Sequence, residues 1–316
     1  MTAQESGFSM MHRVNRAMAH LGAAGQPGPG RSAQKLGIML LLLSIFLFTL
    51  MDATAKYLAQ HYQPIQIVWA RFAGNMLIVG VLFAPRFAQV LKSRQPSVQF
   101  GRALTQLASS VLFFSSLAYI GLAEATAIMD INPVLITLGA AIFLGESIGI
   151  RRIIGIVIAL IGAMIIIRPG AGVFHPAAVL PLIGAFTYAA GALLTRVARQ
   201  DSTATSVLWS AMVGTVITSA VVPFFWQPIA PQHLWAFLLL GCLGAVSQAL
   251  LIRAFALAEA GAVAPFGYTG LIWAGLWGWL FWGNLPDTWT VIGAVIIVGA
   301  GIYVWAREAR AMKQAG

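Results

Sequence analysis

The chain has 316 residues, of which 59% are hydrophobic and 9% are charged, and its formal net charge is +10. This composition, with a mean hydropathy of +0.84, excludes a soluble globular domain. Nucleic-acid binding would need a basic patch on a soluble surface, and the basic residues here are spread among apolar segments, so that function is excluded as well.

Ten stretches of mostly apolar residues follow one another along the chain, each long enough to cross the ~30 Å hydrocarbon core as a helix. They lie near 36–59, 64–84, 99–119, 123–144, 150–168, 177–197, 204–225, 233–253, 260–282 and 288–306. Strands of a membrane barrel alternate apolar and polar residues, and these runs do not. The sequence therefore predicts an all-α integral membrane protein with ten transmembrane helices.

The positions of lysine and arginine predict the orientation, because basic residues in short loops stay in the cytoplasm. With the N-terminus inside, the cytoplasmic segments collect nearly all basic residues outside the spans, and the opposite side receives Arg168. We therefore expect a multi-pass protein of the cell (inner) membrane with both termini in the cytoplasm.

Two terminal segments lie outside the ten runs. Residues 1–34 lack an apolar run long enough for a signal peptide. The stretch "FSMMHRVNRAMAHL" within them suits a helix lying on an anionic membrane surface, and a disordered tail is the alternative. Residues 307–316 form a second cytoplasmic tail. Cys242 is the one cysteine, which excludes an internal disulfide.

Two charges interrupt the end of the first span. The stretch "FTLMDATAKYLAQ" at 48–60 carries Asp52 and Lys56, whose i, i+4 spacing places both on one helix face. A charge inside the bilayer costs about 2.5–3.5 kcal/mol on insertion scales, so it needs a partner or a watery cavity. The two residues either neutralise each other near the outer interface, or they line a cavity that binds substrate or couples it to protons.

The second span contains Arg71, in "IVWARFAGN". An arginine at this depth either snorkels to the surface or donates its planar fork to a carboxylate or an anionic substrate. Its predicted internal partner is Asp52, on the neighbouring helix at a comparable depth.

The fourth span carries Asp130, Asn132 and Pro133, in "IMDINPVL". A proline inside a helix removes a backbone donor and clashes with the preceding turn, so the sequence predicts a kink with exposed backbone groups. Carriers commonly coordinate substrate or ions at such breaks. Asp130 is therefore either a proton-coupling group or a neutral residue hydrogen-bonded across helices.

The ninth span is rich in aromatic residues. Pro265 predicts a second irregular helix, and Tyr268 follows it. Trp273 and Trp277 are predicted to lie in mid-membrane, on a different helix face from Tyr268. There they either stack on a planar or cationic substrate or contact lipid. Trp282, near the outer end, suits an interfacial anchor.

The chain also repeats itself. "LAEATAIMDINPVLITLGAAIFLGE" at 122–146 returns as "LAEAGAVAPFGYTGLIWAGLWGWLFWGN" at 257–284, and "FTLMDATAKYLA" at 48–59 aligns with "FTYAAGALLTRV" at 186–197. Each unit has five spans, an odd number, so the second copy enters the membrane from the opposite side. The sequence predicts two inverted five-helix repeats, at 36–168 and 177–306. Ala190 and Leu194 align with Asp52 and Lys56, so packing does not require those charges.

This plan, with "DATAKYLA" in the first span, "NPVLITLGAAIFLGE" in the fourth and "APFGYTGLIWAGLWGWLFWGN" in the ninth, resembles the EamA-like branch of the drug/metabolite transporter superfamily. The resemblance covers about residues 36–306. It implies a carrier, and related carriers handle amino acids, nucleotide derivatives, vitamins, metallophores and cationic drugs. The chain departs from the family in one respect: the resemblance implies a glutamate in both copies, but Asn284 stands where the first copy has Glu146.

These features predict a secondary active transporter of a small organic metabolite that works by alternating access, with coupling to protons as one alternative for its driving force. A cavity with acids, bases and aromatics suits an amino acid, a nucleoside-like compound, a flavin or a similar zwitterionic or aromatic compound. The predicted substrate-binding or coupling residues are Asp52, Lys56, Arg71, Asp130, Asn132, Tyr268, Trp273 and Trp277, with Pro133 and Pro265 as hinges.

Two other classes of transport protein are alternatives: an efflux carrier for drugs or cationic compounds, and a passive channel. The sequence has no P-loop, no HExxH motif and no cluster of His and Cys ligands, so we expect neither enzymatic activity nor a cofactor or metal. The expected partners are a small-molecule substrate, the lipid bilayer and a second copy in a homodimer.

Overall fold

The computed structural model of the protein describes residues 31–144, 150–167, 175–198, 200–257 and 264–315. Throughout these ranges the regular structure is helical, without strands. Glu146, Arg168 and residues 1–30 of the predicted N-terminal tail lie outside the described residues. The all-helical class predicted from the sequence is confirmed.

We number the α-helices of the described ranges in chain order. They are α1 (Arg31–Ala59), α2 (Pro64–Leu82), α3 (Phe87–Leu91), α4 (Pro96–Leu117), α5 (Leu122–Met129), α6 (Asn132–Leu144), α7 (Ile150–Ile167), α8 (Val179–Val197), α9 (Thr203–Val221), α10 (Leu234–Leu257), α11 (Thr269–Trp282) and α12 (Thr288–Ala315). Short 3₁₀ helices cover Ala84–Arg86, Pro176–Ala178, Val222–Phe225, Pro231–His233 and Ala264–Tyr268.

Each of the ten predicted intervals overlaps one or two of these helices, and the fourth interval is divided between α5 and α6. In the part of the chain that the structure describes, five segments are long and apolar enough to cross a membrane. They are Lys35–Ala59, Pro64–Val81, Pro176–Thr195, Ala204–Phe225 and Pro231–Leu251. Shorter apolar helices cover Ile153–Ile167 and Thr288–Tyr303. The total of ten crossings stays a prediction.

Several helices begin and end at residues that suit those positions. Pro64 and Pro96 occupy the first turns of α2 and α4, where a helix needs no amide donor. The side chain of Ser202 accepts a hydrogen bond from the Thr205 amide and caps α9. Gly283 ends α11 with a φ of 66°, a left-handed conformation that glycine adopts at low cost.

The helices pack in a pattern that relates the two halves of the chain. The first half contributes α1, α2, α4, α5 with α6, and α7, and the second contributes α8 to α12. The first helix of each half packs on the third helix of the other, in the pairs α1 with α10 and α8 with α4. The second helices, α2 and α9, pack together, and so do the last helices, α7 and α12. Exchanging the two halves therefore preserves the main packing pairs.

The backbones of α2 and α10 come close together at Gly74 and Gly241. A Cβ atom on Gly74 would lie 2.5 Å from the Cα of Gly241, and one on Gly241 would lie 2.8 Å from the Cα of Gly74. Small residues permit such close contacts between membrane helices. The contact also brings Arg71, one turn earlier on α2, beside Gly244 of α10.

Apolar side chains fill the interior and cover much of the outside of the bundle. Leu58, Ile67 and Phe114 are fully buried, whereas Leu77 is 70% exposed in the middle of α2 and Leu238 is 70% exposed on α10. Large apolar side chains exposed on a helical bundle of this hydropathy suit contact with lipid.

Candidate functional site

Arg71 of α2 lies at the centre of the bundle, because its guanidinium interacts with groups from three other helices. Its Nη1 donates a hydrogen bond of 2.9 Å to the Ser110 hydroxyl of α4. The Cζ atom lies 5.5 Å from the ring centroid of Phe114 of α4 and 5.6 Å from that of the adjacent Phe72. Asp52 of α1 and Tyr188 of α8 interact with it electrostatically.

Asp52, Arg71 and Tyr188 form a polar group, which we call the central triad. Asp52 and Arg71 are the acid and base predicted to be partners, and they interact electrostatically in the structure. Both side chains are only partly buried. Tyr188 interacts with Arg71 from a third helix and keeps 39% of its surface accessible.

Lys56, one turn after Asp52 on α1, has other partners. Its Nζ donates hydrogen bonds of 3.0 Å to the carbonyl of Leu117 and 2.7 Å to that of Ile120. It also lies 5.7 Å from the ring centroid of Trp282. The Leu117 carbonyl is the last of α4, and that of Ile120 belongs to the turn that follows, where a helix end leaves acceptors unpaired and attracts positive charge. Lys56 therefore caps α4.

A row of polar side chains runs along α4 from Arg71 towards one end of the bundle. The Ser110 hydroxyl donates a hydrogen bond to the backbone carbonyl of Gln106. The Gln106 side chain accepts a hydrogen bond of 2.9 Å from the Ser210 hydroxyl of α9. Gln106 also donates to Gln248 of α10 over 3.4 Å. One turn earlier, the buried Arg102 donates to the Ser210 hydroxyl and to the backbone carbonyl of Ser206.

The row ends at a loop carboxylate, in a group that we call the Asp201 cluster. Asp201, between α8 and α9, accepts hydrogen bonds from the Ser93 hydroxyl, from the Arg94 amide at 2.8 Å and from the Gln99 side chain at 3.0 Å. Partial burial by itself raises the pKa of Asp201, but these hydrogen bonds and the Arg94 charge together hold that pKa below its usual value.

A second hydrogen-bonded group, the Tyr62 cluster, joins the α1–α2 connection to the segment before α10. The Tyr62 hydroxyl shares a hydrogen bond of 2.9 Å with Nδ1 of His233 and accepts one of 3.0 Å from the Ala230 amide. The Gln66 side chain donates to the carbonyl of Gln227 at 2.9 Å and accepts from its amide at 3.1 Å. The two clusters lie at opposite ends of α2.

Asp130 and Asn132 lie where the fourth predicted span is interrupted. α5 ends at Met129 and α6 begins at Asn132, with Pro133 as the second residue of α6. Asp130 interacts electrostatically with Tyr268, the last residue of the 3₁₀ turn that contains Pro265. Asp130 and Tyr268 therefore form a polar pair separate from the central triad, coupled electrostatically and not by a hydrogen bond.

Trp273 and Trp277 of α11 pack against α1. The ring centroid of Phe46 lies 5.0 Å from that of Trp273 and 5.5 Å from that of Trp277. Nε1 of Trp277 donates a hydrogen bond of 3.2 Å to the Thr49 hydroxyl. These contacts bind α11 to α1, and the predicted role of the two tryptophans in stacking on a substrate stays a prediction.

Sequence reasoning missed Tyr188, Ser110 and Gln106 as site residues. Tyr188 carries no charge, and a single tyrosine in an apolar helix gives no periodic signal. The polar residues of α4 do give one, since Gln99, Arg102, Gln106 and Ser110 recur every three or four positions and so share one helix face.

A groove with a volume of about 370 Å³ lies between α5, α11 and α12. It is lined by apolar side chains such as Leu271, Val291 and Ile302, and none of the charged residues described above lines it. Its lining suits an acyl chain more than a polar metabolite.

The chain is similar to known transport proteins over most of its length. The sequence pattern of the EamA-like transporter family matches residues 35–168 and 175–306. The pseudopaline exporter CntI of Pseudomonas aeruginosa (strain UCBPP-PA14) is 31% identical over 85% of this chain and 95% of its own. The S-adenosylmethionine uptake transporter of Rickettsia bellii (strain RML369-C) is 24% identical over 88% of this chain and 96% of its own. The riboflavin transporter of Rhizobium johnstonii is 33% identical over 66% of this chain and 71% of its own.

Proposed function

Because this chain belongs to the EamA-like transporter family, we propose that it carries a small zwitterionic metabolite with a planar ring, bound at the central triad of Asp52, Arg71 and Tyr188. As a member of this family it is a multi-pass membrane transporter of small molecules, and its relatives are transporters and not enzymes.

One observation carries the proposal: an acid, a base and an accessible aromatic side chain meet from three helices at the bundle centre. The Arg71 fork can bind a carboxylate with two parallel hydrogen bonds. The Asp52 carboxylate can bind an ammonium group, and the Tyr188 ring can stack on a planar group. Ser110 fixes the guanidinium through Nη1, which leaves the other donors of Arg71 for substrate.

The substrates named for the relatives fit this chemistry. S-adenosylmethionine has an α-amino carboxylate, a sulfonium charge and an adenine ring, and riboflavin has a planar ring system. A site that binds both charged groups of a zwitterion and stacks on a ring could contact every one of these groups in a compound like S-adenosylmethionine. We therefore rank aromatic or nucleoside-bearing amino acids above uncharged or purely cationic drugs.

Asp52→Asn tests the substrate assignment, because it keeps the shape of the side chain and removes its charge. In proteoliposomes we expect uptake of S-adenosylmethionine, or of the best zwitterion in an amino-acid panel, to fall by about tenfold or more at limiting concentration. Asp287→Asn is the matched control, since Asp287 lies before α12 and asparagine can replace it as the cap of Thr290. Equal uptake by the two variants would exclude Asp52 from the site.

We further propose that the protein has ten crossings, arranged as inverted five-helix repeats at 36–168 and 177–306, and works by alternating access. The exchange of packing pairs between the halves supports this arrangement. With both termini in the cytoplasm, single cysteines at Gln63, His175 and Gln227 should react with a membrane-impermeant maleimide from outside, whereas cysteines at Ser97, Ser202 and Gln314 should not. External labelling at Ser202 would contradict the inverted arrangement.

A passive channel is the second candidate that transport data can separate from a carrier. A carrier coupled to an ion gradient accumulates its substrate above the external concentration, and a channel only equilibrates it. Uptake into proteoliposomes that stops at equal concentrations under every imposed ion gradient would therefore favour the channel.

A further inference from the structure

Three residues that flank the break between α5 and α6, and one residue that interacts with them, each have a buried side-chain oxygen without a hydrogen-bond partner in the structure. These oxygens are Oγ1 of Thr126, Oδ2 of Asp130, Oδ1 of Asn132 and the hydroxyl of Tyr268. Thr126 and Asp130 are four residues apart, so they lie on one helix face. The Asp130 amide donates to the Thr126 carbonyl, and Tyr268 interacts electrostatically with the Asp130 carboxylate. Unpaired buried polar atoms are rare, and several at one helix break suggest a missing ligand.

The break also frees backbone oxygens. In a continuous helix the carbonyl of Met129 would accept from residue 133, but Pro133 has no amide hydrogen. The carbonyl of Asp130 would accept from the Val134 amide, which instead donates to the carbonyl of Ile131 at 3.1 Å. The interrupted turn therefore adds main-chain carbonyls to the four side-chain oxygens.

The charge of Asp130 calls for a positive ligand. Arg71 is engaged by Asp52, Ser110 and Tyr188, and Lys56 caps α4. The Tyr268 hydroxyl, which interacts with Asp130, carries no positive charge. A carboxylate enclosed by apolar helices is stable only when a proton or a cation compensates it.

We propose that Thr126, Asp130, Asn132 and Tyr268 form a binding site for one sodium ion. An all-oxygen set with a single carboxylate matches a hard monovalent cation, since a divalent ion would need more negative charge. A proton on Asp130 could be donated to only one neighbouring oxygen, whereas a metal ion can coordinate all four. Half-helices that meet at a break supply such sites in other carrier folds.

If the proposed transport function is correct, this site lets a sodium gradient drive the carrier. The break joins α5, which packs on α11, to α6, which packs on α8. Sodium binding would therefore fix the orientation of the two segments relative to both neighbours, while the substrate binds separately at the central triad.

The test is ²²Na⁺ binding by the purified protein in detergent without substrate, at constant ionic strength with choline as the replacement cation. We expect saturable binding by the unmodified chain and its loss in Asp130→Asn. Thr126→Val removes one neutral ligand and should weaken binding by about tenfold. Thr215→Val is its matched control, because the Thr215 hydroxyl is also buried and unpaired but lies on α9, and binding should be unchanged.

Absence of saturable ²²Na⁺ binding in the unmodified chain would overturn the proposal, and so would equal binding by Thr126→Val and Thr215→Val. If Asp130→Asn fails to fold, the threonine pair still decides. The assay contains no substrate, so a failure here leaves the transport proposal standing, and a failure of Asp52→Asn to affect uptake leaves the sodium site standing.

Discussion

Replacing Lys56 by methionine separates its capping role from a role in substrate binding. Methionine keeps most of the side-chain length and removes the charge. The change deletes the hydrogen bonds from Nζ to the carbonyls of Leu117 and Ile120, at 3.0 and 2.7 Å. It also removes the contact with the ring of Trp282. Two acceptors at the end of α4 are then left without their donor.

The expected loss of stability follows from these contacts. A hydrogen bond from a charged donor contributes roughly 1.5–3 kcal/mol, and part of this is offset because the amine no longer needs to be desolvated. We expect a net loss of about 3 kcal/mol, which corresponds to a decrease in Tm on the order of 5–10 °C. Substrate affinity at the central triad should change little.

The assay is thermal unfolding of the detergent-purified protein, together with substrate binding measured below the transition. Lys35→Met is the control, because it removes the same charge from an exposed position in the first turns of α1. A variant Lys56→Met that melts like this control but no longer binds substrate would refute the capping role and return Lys56 to the substrate site.

Three further predictions concern the bundle and its two ends. Gly74→Ala should destabilise the protein strongly because its Cβ would meet the backbone of Gly241, whereas Gly80→Ala on the same helix has open space around the new Cβ and should be neutral or stabilising in a melting experiment. Tyr62→Phe deletes the acceptor of the Ala230 amide and should accelerate hydrogen exchange of that amide by roughly fivefold, and unchanged exchange would argue against the Tyr62 cluster. The pKa of Asp201 is lowered in the folded protein, so its carboxylate contributes stability that is present above its usual pKa of about 4 and is lost as the pH falls through the lowered value. Asp201→Asn should therefore melt below the unmodified chain at pH 7, with a difference that is constant between about pH 5 and 8 and shrinks below about pH 4.

The helices were predictable because each depends on local sequence. Apolar runs bounded by prolines and glycines give the positions of α1, α2 and α4, and Pro133 gives the interruption near Asp130. The partners of Lys56 were not predictable, since Leu117 and Ile120 lie 61 and 64 residues away and belong to a helix end. The i, i+4 spacing shows only that Lys56 and Asp52 share a helix face, and it does not show which residues of other helices lie near Lys56.

The central triad was predictable in part for the same reason. A buried charge needs compensation, so comparable depth on adjacent helices was enough to match Asp52 with Arg71. Tyr188 enters from α8, and its place depends on how the second half of the chain packs on the first. No pattern within α8 encodes that contact.

The two hydrogen-bonded clusters differ in charge, and the difference bears on how such a carrier would open. They lie at opposite ends of α2, whose 19 residues span about 28 Å, and each joins one half of the chain to the other. The Asp201 cluster uses a carboxylate with three donors, and hydrogen bonds to an ionised group are roughly twice as strong as neutral ones. The Tyr62 cluster uses a hydroxyl, an imidazole and an amide side chain. Without substrate, the end of the bundle at the Tyr62 cluster should therefore open more readily than the end at the Asp201 cluster. The central triad should then become accessible to solvent from the Tyr62 side first.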